Sequence, residues 1–211
     1  MNTSQTEIES ALVDVRKAYR LLYDYQRAAL DAAKYIGSRL GLEYKGGHSY
    51  FSDCAPRDGR PGTLENWAWD WLNLMCYEFH FQQTIAKDKY LNFSIWLFSD
   101  TGYFISDHSA PDKRIVNTFA SPEKSGTKLG FFVYWAWNAT YHTQLWETPE
   151  NLRRFIEKGE LPSQMKDDGV LGMCSDFSCL ADQKSSDEVI AELVRFAKAK
   201  GFPLEKQTKP A

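Results

Sequence analysis

The stretch WAWDWLNLMCYEFHF, residues 67–81, decides the fold. It is too apolar for an exposed segment, and it predicts a strand over Trp69 to Phe81. We expect its first two-thirds, through Cys76, to be a central strand in the core. Side chains alternate along a strand, so Glu78 and His80 project from the same face.

Further strand-like segments surround this stretch. They lie at Tyr90 to Phe98 with a continuation at Tyr103 to Ser106, at Leu129 to Trp137, at Phe177 to Asp182, and on either side of a Gly46-Gly47 turn at Leu42 to Lys45 and His48 to Ser52. The three long segments follow one another without a helix between them, which favours antiparallel neighbours. Both faces of the segment at 129–137 are largely apolar. This indicates a sheet covered on two sides, with helices on one face and loops or a partner on the other.

Helix-type periodicity marks both ends of the chain. The first helix is predicted over Thr6 to Leu40, and its apolar stripe is broken by Gln26; the stripe comprises Ile8, Leu12, Val15, Tyr19, Leu22, Ala29, Ala33, Ile36 and Leu40. Gly41 is placed to end this helix. A short helix is expected from Thr148 to Lys158, and a last one from Asp187 to Lys200 with a capping box of Ser185 and Glu188.

The length of the first helix has a structural consequence. About 35 residues give roughly 50 Å of helix, whereas a compact domain of this size is only about 43 Å across. Either the helix breaks or one end overhangs the body. The helix lying across the sheet is one alternative, and self-association through an overhanging end is the other.

These elements define the predicted architecture. We expect an α+β fold, in which a long N-terminal helix and a C-terminal helix pack against a mainly antiparallel sheet of about five strands. The 211 residues are predicted to form a single domain, 1–211, with mobile ends at 1–5 and 203–211.

Composition narrows the classes of function. The net charge is -3 and the pI is near 5.8, so no global field attracts nucleic acid or an anionic membrane. The first residues lack a secretory signal, and no apolar run is long enough to span a membrane. The four cysteines contain no Cys-x-x-Cys pair, so we expect reduced thiols in a cytoplasmic protein.

Glu78 and His80 are the leading candidates for chemistry. A carboxylate beside an imidazole can orient a general base or supply two metal ligands, with Asp107, His108 or His142 as the third. The alternative is a solvated pair at the rim, where the strand leaves the core. Asp107 and His108 also fit a polar loop after a strand, and His142 has the same ambiguity.

Other candidates are weaker. Arg57 and Arg60 lie in a long loop that can form the rim of a binding surface. Trp137 and Trp146 are further candidates for the same ligand or partner surface. Glu43-Tyr-Lys45 and Asp182-Gln-Lys184 match a nuclease tripeptide, a match that arises by chance in most chains of this size. Phosphate-binding loops and hydrolase elbows are absent from the sequence.

The sequence therefore favours a small, non-catalytic binding protein that holds a protein partner or an aromatic ligand. We expect no cofactor and assign no metal at this point, and a homodimer through the N-terminal helix is a further alternative. The rival is a metal-dependent hydrolase, with nuclease-like chemistry as one form, that uses Glu78, His80 and a third ligand such as His142.

Overall fold

The computed structural model describes residues 5–49, 75–106, 115–136, 149–161 and 169–207. These residues contain three helices and five strands in the following order: α1 (Gln5–Arg39), β1 (Glu43–Ser49), β2 (Cys76–Ala86), β3 (Lys89–Phe98), β4 (Lys128–Ala136), α2 (Pro149–Lys158), β5 (Leu171–Asp176) and α3 (Gln183–Ala199). The strands form one antiparallel sheet in the order β1-β2-β3-β4-β5. The predicted α+β class is confirmed. No described helix is long and apolar enough to cross a membrane.

The prediction of a turn at Gly46-Gly47 is wrong. Both glycines lie inside β1, which pairs with β2 along its whole length and carries a bulge between Tyr44 and Gly46. Gly46 has a φ of 119°, a backbone conformation that only glycine adopts easily. A Cβ on Gly47 would collide with the backbone carbonyl oxygen of Glu78, so the second glycine allows β1 to approach β2.

Three other boundaries differ from the prediction. The last strand is β5, and the expected strand at 177–182 is a 3-10 turn over Phe177–Leu180. The expected strand at 103–106 is replaced by a 3-10 turn over Thr101–Tyr103. Asp182 caps α3 and pairs with Ser185 in a capping box, because the helix starts four residues earlier than predicted.

The first face of the sheet carries the larger core. Ala29, Ala33 and Ile36 of α1, together with Leu40 just after the end of this helix, are buried there with Ile190 and Leu193 of α3. They pack against a row of apolar side chains from all the inner strands. Gly37 contacts the Phe81 ring so closely that a Cβ would overlap it, which brings α1 against β2. Gly41 (φ 64°) follows α1 as predicted.

The N-terminal part of α1 overhangs the body. Residues 7–24 are all exposed, and α1 continues through them as one helix. Because the helix is longer than the sheet that it packs on, its apolar stripe runs past the edge of the core. The overhang is one of the two outcomes that the helix length predicted.

The C-terminal segment is anchored as far as residue 207. Phe202 and Leu204 are buried in the core, and the Gln207 amide donates to the Arg39 carbonyl over 2.7 Å. The mobile end at 203–211 stays a prediction, and these contacts are what residues 203–207 would have to lose in order to move. Apolar side chains after Gly201 hold this segment against α1 and the sheet, a contact that is not local in sequence.

The second face of the sheet carries a smaller core. Trp96 and Phe132 pack there with Phe155 and Ile156 of α2, and the Phe132 and Phe155 ring centroids are 4.8 Å apart. The prediction that both faces are covered is correct, but a helix covers part of the second face where loops or a partner were expected. Towards β1, the side chains of this face become polar.

Candidate metal centre

Glu78 and His80 lie in the buried middle of β2. Glu78 is 0% exposed and His80 is 5% exposed. The alternative of a solvated pair at a strand end is therefore wrong. The reason is that β2 starts at Cys76 and continues to Ala86, so both residues have β1 on one side and β3 on the other.

His48 joins this pair from β1. In the ladder, His48 is the register partner of Glu78, and register partners in an antiparallel sheet share a face. The His48 and His80 ring centroids are 5.2 Å apart, and Nε2 of His80 lies 3.4 Å from Oε1 of Glu78. One potential ligand atom from each of the three residues lies within 4.8 Å of the other two.

The electrostatic environment favours neutral imidazole at His48. Partial loss of solvent around the imidazole, on the side that faces β2, lowers the pKa of His48; the Glu78 carboxylate opposes this shift, and the neighbouring His80 adds to it. A metal binds the neutral form of histidine, so a lowered pKa is the direction that suits a ligand.

Cys76 lies on the same face of β2 but has different chemistry. Burial, together with the nearby Glu78 carboxylate, raises the pKa of its thiol to about 12. In the absence of a bound cation, this direction disfavours the thiolate, so Cys76 is a poor nucleophile there.

The polar surface continues from the three candidate ligands onto β3. Ser94 is the register partner of His80, and Asn92 is the partner of Gln82. The side-chain amide of Gln82 donates to the Oδ1 of Asn92 over 3.0 Å. Asn92 and Ser94 are both fully buried, so this face holds a compact polar cluster inside an otherwise aromatic core.

The remaining predicted site residues are placed as follows. Asp107, His108, His142, Arg57, Arg60, Trp137 and Trp146 lie outside the described residues. Of the two nuclease-like tripeptides, one is on the exposed edge strand, where Lys45 pairs with Glu43. The other contains Asp182, whose side chain caps α3. Neither contributes to the three-residue cluster.

His48 was missed by the sequence analysis. The signal that could have found it is the pair of glycines before it, if they are interpreted as part of an edge strand that approaches β2. If this segment is a strand that pairs with β2, the alternation of its side chains places His48 opposite Glu78. A Gly-Gly pair more commonly indicates a hairpin turn. A turn at this position would place His48 on the second strand of a hairpin with residues 42–45, away from β2.

Fold and site together define an α+β protein with a candidate metal centre of two histidines and one glutamate on a buried sheet face. The chain belongs to the PM0109 family, whose model matches residues 5–205. No curated protein and no solved structure matches the chain.

Proposed function

We propose that this protein is a metal-dependent hydrolase that binds one zinc ion through His48, Glu78 and His80. The distance of 3.4 Å between Nε2 of His80 and Oε1 of Glu78 carries this proposal. Two ligands at about 2.0–2.1 Å from zinc lie roughly 3.4 Å apart at a tetrahedral angle. Adjacent ligands of an octahedral ion at the same bond length lie closer, at about 3.0 Å.

The burial of Glu78 supports the same assignment. A fully buried carboxylate costs free energy unless a positive charge or hydrogen bonds compensate for its lost hydration. Two imidazoles beside it can supply that charge only by becoming protonated. A divalent cation between the three side chains compensates for the carboxylate while both imidazoles stay neutral.

The donor set also suits hydrolysis. Two histidines and one glutamate leave a fourth zinc position for water or substrate, and zinc acts there as a Lewis acid that activates water near neutral pH. His48 is exposed and its two co-ligands are buried, so the accessible side of the centre lies towards β1. Glu78 and His80 hold the ion on the rigid middle of the sheet.

Metal titration tests the proposal. We expect one Zn²⁺ per chain by calorimetry, with Glu78→Gln and His80→Ala each weakening the affinity at least about 100-fold. Glu43→Gln is the matched control, since it removes an exposed carboxylate of β1 that is outside the cluster. Zinc affinity that is unchanged in Glu78→Gln would reject the metal centre.

The catalytic part has its own readout. Zinc-loaded protein should hydrolyse p-nitrophenyl acetate or bis(p-nitrophenyl) phosphate, and chelation should abolish the rate. Zinc binding without turnover of either ester would reject hydrolysis and leave a metal-binding protein.

Two observations bear on compartment and on the rival binding role. The described cysteines, Cys76, Cys174 and Cys179, are free thiols, which supports the cytoplasm as the proposed location. The exposed apolar residues of α1 favour a protein–protein contact as a second function of the chain.

A further inference from the structure

We infer that Asn92 and Ser94 form an oxyanion subsite beside the metal centre, which would define the substrate class. This inference rests on the proposed function. The two residues lie on β3, on the same face as His80, with Ser94 directly opposite His80 in the ladder. Paired residues of neighbouring strands have Cβ atoms roughly 5 Å apart, so a group bound to Ser94 also reaches the metal.

Both side chains keep hydrogen-bonding capacity that the described part of the chain does not use. The Nδ2 of Asn92 and the Oγ of Ser94 are buried and have no hydrogen-bond partner there. The bond from Gln82 to Oδ1 fixes the orientation of the Asn92 amide and leaves Nδ2 as a free donor. A buried polar group without a partner is destabilising, so a ligand that satisfies both groups gains free energy on binding.

The hydrogen-bond donors of Asn92 and Ser94, together with the charge of the metal centre, determine the class of ligand. An amide N–H and a hydroxyl donate hydrogen bonds, so they recognise an acceptor oxygen. One divalent cation and the Glu78 carboxylate leave a net charge of about +1 at the site, which one negative charge balances. A carboxylate or a phosphodiester monoanion has both properties, and a neutral amide has only the acceptor oxygen.

Cobalt-substituted protein tests this subsite. The d–d spectrum of Co²⁺ reports anion binding, and we would titrate it with acetate, dimethyl phosphate and acetamide. We expect one of the two anions to bind at least 10-fold more tightly than acetamide. Asn92→Ala and Ser94→Ala should each weaken that anion at least 5-fold and change Co²⁺ affinity less than 3-fold.

The outcomes separate the two proposals. Equal anion affinity in wild type and both variants overturns the subsite while the metal centre stands, as does preferential binding of acetamide. Failure to bind Co²⁺ overturns the metal centre. In that case the cation charge that selects an anion is missing, so the metal-free protein is tested with acetamide, which offers an acceptor oxygen without a negative charge. Stabilisation against heat by acetamide, lost in Ser94→Ala, would still support the hydrogen-bonding subsite, and no stabilisation would overturn it. Circular dichroism of each variant checks that the fold is intact.

A separate observation concerns α1. We propose that its overhanging half pairs with the same half of a second copy in antiparallel orientation. The stripe that is buried at Ala29, Ala33 and Ile36 continues at heptad spacing, and there it is exposed, through Leu22, Tyr19, Val15, Leu12 and Ile8. Tyr19 is 68% exposed and Leu12 is 46% exposed. Residues 7–24 are about 27 Å of helix, and all of them are exposed.

Charge complementarity selects a second copy and its direction. An antiparallel register that packs Leu12 on Val15 of the second copy also packs Ile8 on Tyr19 of the second copy. Glu9 then faces Arg16 of the second copy at both ends of the contact. In the parallel register, the positions of Glu9 and Arg16 do not face each other across the seam.

Sedimentation equilibrium tests this contact. Wild type should be a dimer, and Leu12→Glu should be a monomer, whereas Val13→Glu, which changes an exposed apolar residue outside the stripe, should remain a dimer. Arg16→Glu should weaken the dimer, and the double exchange Glu9→Arg with Arg16→Glu should restore it. A wild-type monomer, or a dimer unaffected by Leu12→Glu, would overturn the proposal. A double exchange that does not restore the dimer would overturn the antiparallel direction.

Discussion

His48 and Glu78 are register partners across the β1–β2 ladder, and they place an exposed imidazole opposite a fully buried carboxylate. In the proposed zinc centre, the exposed His48 of the edge strand is the residue that an ion arriving from solvent contacts first. The second histidine and the glutamate come from the interior of the sheet. This division predicts that the three residues contribute differently to stability and to metal affinity.

Replacement of His48 by alanine should affect the metal and leave the fold intact. Because His48 is exposed, we expect thermal stability of the metal-free protein to stay within about 0.5 kcal/mol of wild type. Zinc affinity should fall by at least the roughly 10–100-fold that loss of an outer-shell partner costs. Calorimetry measures this, and His48→Asp, which restores an oxygen ligand, should recover part of the affinity. An equal loss of zinc affinity in His48→Ala and His48→Asp would contradict a role of His48 as a metal ligand.

Gly47→Ala should weaken the metal centre without changing a ligand. A Cβ at this position would overlap the Glu78 carbonyl oxygen and would lie 2.7 Å from the Tyr77 ring, so β1 must move away from β2. Forced overpacking of this kind costs about 1–3 kcal/mol of unfolding free energy. We expect zinc affinity to fall with stability. Lys45→Ala, a change on the same strand that creates no overlap, should keep both the stability and the zinc affinity of wild type. A Gly47→Ala variant with wild-type zinc affinity would contradict the register of β1 with β2.

The fold was predictable from sequence where periodicity is long and local. The boundaries of α1, β3 and β4 agree closely with their patterns because each pattern extends over nine or more residues in one element. By contrast, β1 and β5 are short, and pairing with a distant strand decides their limits. Gly46-Gly47 has the composition of a turn, and only the contact with β2 makes it part of a strand.

The candidate site was predictable only in part for the same reason. Alternation correctly places Glu78 and His80 on one face of β2. Whether that part of β2 is buried depends on the strands beside it and on what covers them, so sequence alone suggested a solvated end. The third potential ligand, His48, depends on the register of two strands and on a bulge, and neither is encoded within a local window.

Gly130→Ala tests the packing of α2 on the second face of the sheet. A Cβ on Gly130 would lie 2.8 Å from the Phe155 ring and 3.1 Å from the Phe132 ring, and both rings are fully buried. We expect a loss of about 1–3 kcal/mol in chemical denaturation. Gly126→Ala is the control, because no atom in the described part of the chain lies within 4 Å of a Cβ there. Equal stability of the two variants would show that α2 does not pack on β4.

The final prediction concerns Asp187, which joins three parts of the chain. Its carboxylate accepts hydrogen bonds from Tyr35 and Arg39 of α1 at 3.0 Å each, and Lys206 lies 3.1 Å away. Burial alone would raise the pKa of Asp187, but these hydrogen bonds outweigh burial and hold the pKa below its ordinary value.

A depressed pKa in the folded state stabilises the protein above the ordinary carboxyl pKa of about 3.9, and this contribution is lost as the pH falls through the lower folded value. Asp187→Asn should therefore lower the Tm by about 2–6 °C at pH 7. The difference from wild type should stay constant between about pH 5 and 8 and shrink below about pH 3.9. Thermal unfolding followed by circular dichroism from pH 7 to 2.5 measures this. Tyr35→Phe removes one neutral hydrogen-bond donor to Asp187, so its Tm should fall by less than that of Asp187→Asn. A Tm difference between Asp187→Asn and wild type that persists unchanged at pH 2.5 would mean that packing, and not the charge, holds α1 against α3.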